Sequence, residues 1–109
     1  MHELAITESV VAAVSERIGP ERVGRVVLEI GLLSGVVPDA VRFCFEICAA
    51  GTILDGASLE IREVQGRARC GACGGEVELD FPAGVCRCGS PELEIVNGRE
   101  LRIVEVEVI

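Results

Sequence analysis

Hydrophobic and polar positions divide the chain into segments of different period. From Leu4 to Ile18, the apolar Leu4, Val11, Val14 and Ile18 recur in steps of three and four, while Glu8, Ser15, Glu16 and Arg17 fall largely on the other side. That spacing predicts an amphipathic helix, stopped by Gly19-Pro20. "RVVLEIG", Arg25 to Gly31, alternates Val26, Leu28 and Ile30 against Arg25, Val27 and Glu29 and reads as a half-buried strand. Pro38 suits the first turn of a second helix, whose apolar stripe is Val41, Cys44, Phe45 and Cys48 and which ends before Gly51.

After the Asp55-Gly56 turn, Ser58 to Val64 alternates Leu59 and Ile61 against Glu60 and Arg62, a second strand. In the last segment, Arg99 to Ile109, the alternation changes phase from Leu101 and Ile103 to Val104, Val106 and Val108, as a bulge near Ile103 would cause. Asn97-Gly98 is a hairpin signal, predicting that Glu92 to Val96 pairs with the start of this strand. Between the strands, Gly66 to Pro91 loses amphipathic periodicity and gathers glycines and four cysteines. The expected fold is therefore α+β: two helices packed on a small, mainly antiparallel sheet, residues 1–65 and 99–109, with residues 66–98 inserted as a zinc-ribbon-like module.

The chain has 109 residues, half of them apolar, enough for one domain with its own core. No apolar run approaches the roughly 20 residues of a membrane span, and no secretory signal pattern opens the sequence, so a cytoplasmic location and no membrane association are expected. The net charge is −8, and all ten basic residues are arginine. Such a balance repels phosphate backbones, and without Trp or Tyr the usual stacking platforms are missing, which argues against nucleic acid as a partner. A chain with no lysine and a single histidine also lacks the P-loop lysine, the Schiff-base nucleophile and most nucleophile–histidine pairs. It is not expected to be an enzyme.

Six cysteines in a reducing compartment point to metal rather than disulfides. Cys70 and Cys73 form C-x-x-C, twelve residues intervene, and Cys86 and Cys88 close the segment. Two such pairs on facing turns can set four thiolates around a tetrahedral Zn(II), with Gly74 and Gly89 letting backbone amides approach sulfur. The metal would supply folding energy that a segment so poor in apolar residues lacks. The second pair is C-x-C, which changes the turn and leaves open whether Cys86 ligates. A redox role for Cys70-x-x-Cys73 would require the motif to open a helix, and "CGACGG" opens no helical pattern. Cys44 and Cys48, one helical turn apart, are read as core residues.

The opening "MHE", the stretch "IGLLSGVVPDAVRFCFEICAAGTILDGASLEI", "CGACGG" and "CRCGSPELEIVNGRELRIVEVEV" together resemble the HypA family of nickel-incorporation metallochaperones, end to end. The resemblance implies a nickel-binding domain with an inserted zinc domain. It further implies delivery of Ni(II) cargo to the hydrogenase large-subunit precursor, with urease as another target in some organisms, alongside a HypB-type GTPase; a homodimer is compatible with this reading. The family pattern usually has C-x-x-C at both zinc positions, so Cys86-Arg87-Cys88 departs by one missing residue, while Cys88 fits its "CGS" position.

The resemblance assigns nickel to the terminus, Met1, His2 and Glu3. Elementary chemistry agrees: the Met1 amine and the His2 amide nitrogen close a five-membered chelate ring, the Glu3 amide closes another, and the His2 imidazole supplies a fourth nitrogen. Four nitrogens in a plane suit Ni(II) or Cu(II). Ligands that must lose protons bind more weakly on acidification. The competing function is a zinc-ribbon interaction module whose only metal is structural zinc; nickel bound per chain separates the two.

Overall fold

The computed structural model describes residues 2–109, so the expectations placed on Met1 lie outside the described residues. The elements run α1 (His2–Ile18), β1 (Val23–Gly31), α2 (Pro38–Ala49), β2 (Ser58–Val64), β3 (Gly66–Cys70), β4 (Glu76–Leu79), β5 (Leu93–Asn97) and β6 (Leu101–Val108). They form two three-stranded sheets, in the orders β2-β1-β6 and β4-β3-β5. The α+β class read from the sequence is the observed one.

The chain divides into two compact units, residues 1–28, 36–62 and 102–109 and residues 29–35 and 63–101. In the first, α1 buries Thr7, Val10, Val11 and Val14, α2 buries Val41, Phe45 and Ala49, and β1 buries Val23, Val26, Val27 and Leu28. The expectation for α2 is corrected in one respect: the inward stripe is Val41-Phe45-Ala49, and Cys44 and Cys48 lie at its half-buried edge. Strand β1 is more buried than its alternation suggests. As the middle strand it has a neighbour on either side, so Val27 is fully covered even though it shares a face with Arg25. Arg25 spans that face, donating to Glu105 (3.1 Å) and Glu107 (2.6 Å) on β6 and to Glu60 on β2.

In the second unit β3 is central and pairs antiparallel with β4, Gly66 opposite Leu79, and with β5, Cys70 opposite Leu93. Its core is Leu33, Ala68 and Leu79, with Val77, Leu93 and Ile95 packed against them. Burial along β3 alternates strictly, Gly66, Ala68 and Cys70 in and Arg67 and Arg69 out. The period-two signal is present in "GRARC" and "EVEL", carried on small residues in β3 and on only four residues in β4.

The expected β5–β6 hairpin is overturned. β5 pairs with β3, and β6 belongs to the other sheet. Gly98 does turn the chain, with φ +97°. The backbone at and just after this turn is captured by the end of β1 and the residues next to it: Gly31 N–H donates to the Glu100 carbonyl (2.9 Å) and Leu33 N–H to the Gly98 carbonyl (2.8 Å). Gly31, Gly66 and Gly98 have no side chain to hold these backbones apart; a β-carbon on Gly31 would stand 2.0 Å from the Gly98 oxygen.

Candidate metal centre

The four clustered cysteines come from two turns closed by main-chain hydrogen bonds and by glycines. Cys70 ends β3, and its N–H donates to the Gly75 carbonyl (2.8 Å) while Gly74 N–H donates to the Cys70 carbonyl (2.9 Å). Gly74 has φ +75°, which only glycine adopts cheaply. On the other side, Gly89 N–H donates to the Cys86 carbonyl (2.8 Å), Cys86 N–H donates to the Ser90 carbonyl (2.9 Å), and Gly89 has φ +95°.

These turns bring all four Sγ atoms within 4.8 Å of one another. Cys70 and Cys88 approach to 3.7 Å and Cys73 and Cys86 to 3.6 Å. A tetrahedron with metal–sulfur bonds of ~2.3 Å has edges of about 3.8 Å, so the donor set fits Zn(II) in number, chemistry and spacing. The shortened C-x-C pair does not exclude Cys86 from the cluster; it is one of the two buried members, with Cys70, while Cys73 and Cys88 are exposed.

Main-chain donors favour the thiolate at Cys70 in particular. Backbone N–H groups of Ala72 (3.3 Å) and Cys73 (3.4 Å) donate to the Cys70 sulfur, and Gly75 N–H (3.4 Å) donates to that of Cys73. The amide of Cys73, foremost, and that of Ala72 outweigh burial and lower the Cys70 thiol to about 6. For Cys88 the largest single influence, the Ser90 amide, also lowers. The neighbouring thiols of Cys70 and Cys86 together with burial overcome it and push Cys88 up to about 11. Without a cation the cluster cannot hold four negative sulfurs at once. A divalent metal removes that conflict.

The terminal residues are arranged differently. His2 begins α1 with a side chain 67% exposed, its Nε2 3.9 Å from a Glu3 carboxylate oxygen. Glu3 is turned inward: its Oε2 accepts the Val37 N–H (3.2 Å), and Val37 is the N-cap of α2, with no side-chain cap of its own. The Val37 amide, and secondarily that of Glu3 itself, hold this carboxyl below the usual carboxylate range. Sequence reasoning placed Glu3 at the metal only; its hydrogen bond to Val37, joining the starts of two helices, was not readable from "MHEL".

Fold and site together define a small α+β metal-binding protein, two helices and a three-stranded sheet accompanied by a tetrathiol module. The family model described as "Hydrogenase/urease nickel incorporation, metallochaperone, hypA" matches residues 1–108. The hydrogenase maturation factor HypA of Nostoc punctiforme is 54% identical over 108 residues, covering 99% of this chain and 96% of that protein, and its counterpart in Geobacter metallireducens is 49% identical over 109 residues, covering 99% of each. The chain belongs to the HypA family of nickel-incorporation metallochaperones that mature hydrogenases. The fold agrees: the solution structure of the Ni metallochaperone HypA from Helicobacter pylori superposes with TM-score 0.68 at 22% identity, covering 98% of this chain and 97% of that one. A second HypA solution structure gives 0.71 at 24% identity, covering 100% and 97%.

Proposed function

We propose that this chain takes up Ni(II) through the Met1 amine, the amide and imidazole nitrogens of His2 and the amide of Glu3, and holds structural Zn(II) on Cys70, Cys73, Cys86 and Cys88. It then hands the nickel to the hydrogenase large-subunit precursor in the cytoplasm, alongside a HypB-type GTPase, and catalyses no covalent step. Residues 1–65 and 99–109 form the nickel-binding domain and 66–98 the zinc module. The family assignment sets the cargo. The observation that carries the site is the position of His2 and Glu3 in the first turn of α1, with the imidazole in solvent. Amides of a helix's first turn have no intrahelical acceptor, so recruiting them to a metal breaks no helical hydrogen bond. A solvent-facing site can also release its ion to a partner more easily than an enclosed one. With four sulfurs on zinc the other centre is closed, leaving no position for a water nucleophile.

The test is an N-terminal extension of a few residues that keeps His2 in place. It turns the Met1 amine into an amide with a far weaker lone pair while preserving the imidazole. Stoichiometric nickel binding, read from the square-planar absorption bands and from metal content, should disappear, with zinc content unchanged. An extended protein that binds nickel as tightly as the original, with the same spectrum, would refute the terminal-amine site.

A further inference from the structure

α2 carries more apolar surface than its fold uses. Val41, Phe45 and Ala49 face the core, yet Phe43 and Ile47, one turn apart on the opposite side, are 68% and 58% exposed. At 100° per residue, Ala40, Phe43 and Ile47 form a continuous ridge, closed by the exposed C-cap residue Ala50 just beyond the helix, and the half-buried Cys44 and Cys48 extend it toward α1. Two large exposed side chains at helical spacing, in a continuous apolar stripe, mark an interaction face rather than scattered surface residues.

The borders of the stripe are acidic on both sides. On one lie Glu46 and Asp39, the latter paired with Arg42 at 2.6 Å. On the other, Glu8 of α1 lies near Cys48, close enough that its charge, after burial, helps raise that thiol. A second copy of the chain would oppose carboxylate to carboxylate and add its own charge of −8. Anionic bilayer surfaces are disfavoured for the same reason.

We propose that the Ala40-Phe43-Ile47 face of α2, with the C-cap residue Ala50 at its end, docks an amphipathic helix of a partner protein whose apolar stripe is flanked by lysine or arginine. Apolar side chains straddle Phe43 and Ile47, the alanines at either end permit close helix approach, and the basic flanks meet Glu8 and Glu46. This surface includes none of the residues proposed to hold nickel or zinc, and the proposal does not depend on which residues hold nickel.

The probe is a synthetic 18-residue helical peptide with leucines at positions i, i+3, i+4 and i+7 flanked by lysines, against the same peptide with glutamate flanks. Both are titrated into the zinc-loaded full chain by calorimetry at low and high salt, with backbone amide shifts locating the contact. The lysine peptide should bind at least tenfold more tightly, shift the α2 amides and weaken with salt. The exposed double substitution Phe43→Ser/Ile47→Ser should weaken it tenfold or more with zinc content and circular dichroism unchanged, and Glu46→Lys should weaken it several-fold. Equal binding of the two peptides, shifts confined to other elements, or undiminished binding by the double variant would overturn the proposal. So would a self-association, seen by sedimentation, that Phe43→Ser abolishes, or a stable association of the chain with anionic vesicles through this face.

Discussion

The sulfur atoms of Cys73 and Cys86 lie 3.6 Å apart, one edge of a tetrahedron closed across two turns of unequal length. The C-x-C spacing shortens the second turn, which is closed, like the first, by two main-chain hydrogen bonds, here through Gly89 and Ser90. Cys86 is more deeply enclosed than Cys73. Replacing it should therefore damage the centre as much as replacing Cys73. Cys86→Ser and Cys73→Ser should both lose most of their zinc, measured per chain by elemental analysis after dialysis against a mild chelator, and Cys86→Ser should in addition loosen amide-exchange protection across β3 and β5. Full zinc retention by Cys86→Ser would show that the three other sulfurs suffice.

Backbone packing at the glycine crossing makes a second expectation. Gly98 combines φ +97° with a position where a β-carbon would stand 2.6 Å from the Cα of Gly66. Neither strain can be relieved by rotating a side chain, since the obstructing atoms are main chain. Gly98→Ala should destabilise the chain by about 2–4 kcal/mol in urea unfolding. Gly74→Ala provides the contrast. It also has positive φ but meets nothing within 4 Å, so its cost should be confined to the backbone term of about 1–2 kcal/mol.

Arg25 ties the three strands of its sheet through carboxylates, and this sets a pH dependence. Glu60 is held below the ordinary carboxylate value, chiefly by Arg25 and then by Arg62. A depressed carboxyl contributes stability that is fully present above its unfolded pKa, near 4.5, and is lost as pH falls through the lower folded value. Melting temperature should accordingly fall as pH drops from about 5 to about 3, and Glu60→Gln should flatten that part of the curve while leaving the trend from pH 6 to 8 unchanged. A parallel acid curve in Glu60→Gln would place the sensitivity elsewhere.

Legibility of the fold in the sequence tracks the strength of each local signal. α1, α2, β1 and β2 each carry a full period on large apolar residues, so their existence and approximate limits were predictable. In β3 the inward positions are Gly66, Ala68 and Cys70, too small for hydrophobic alternation to stand out. The Asn97-Gly98 turn was legible as a turn, but which strand receives the chain before it is a tertiary choice. β5 takes β3 as its partner, which brings the turns bearing the four cysteines together. The cysteine cluster was legible because ligand spacing is a short-range pattern. Its closure through Cys86 depends on the sheet register, which no spacing rule encodes.

Glu3 joins the proposed nickel-binding terminus to the start of α2, and its observed and proposed roles can be separated. Its carboxylate accepts the Val37 amide at the start of α2, a negative group where the helix dipole favours one, whereas the proposed nickel ligand is its main-chain nitrogen. Glu3→Ala removes the first and keeps the second. The variant should melt a few degrees lower and lose exchange protection at the start of α2, yet still bind one nickel per chain with an unchanged square-planar spectrum. Affinity should fall modestly, because the carboxylate also stands 3.9 Å from the imidazole and helps fix how His2 is presented. Glu3→Gln should recover most of the lost melting temperature, since its amide oxygen can accept the same hydrogen bond, and its nickel affinity should lie between the two. If Glu3→Ala abolished nickel binding while α2 kept its protection, the carboxylate itself would be a ligand and the four-nitrogen plane would need revision.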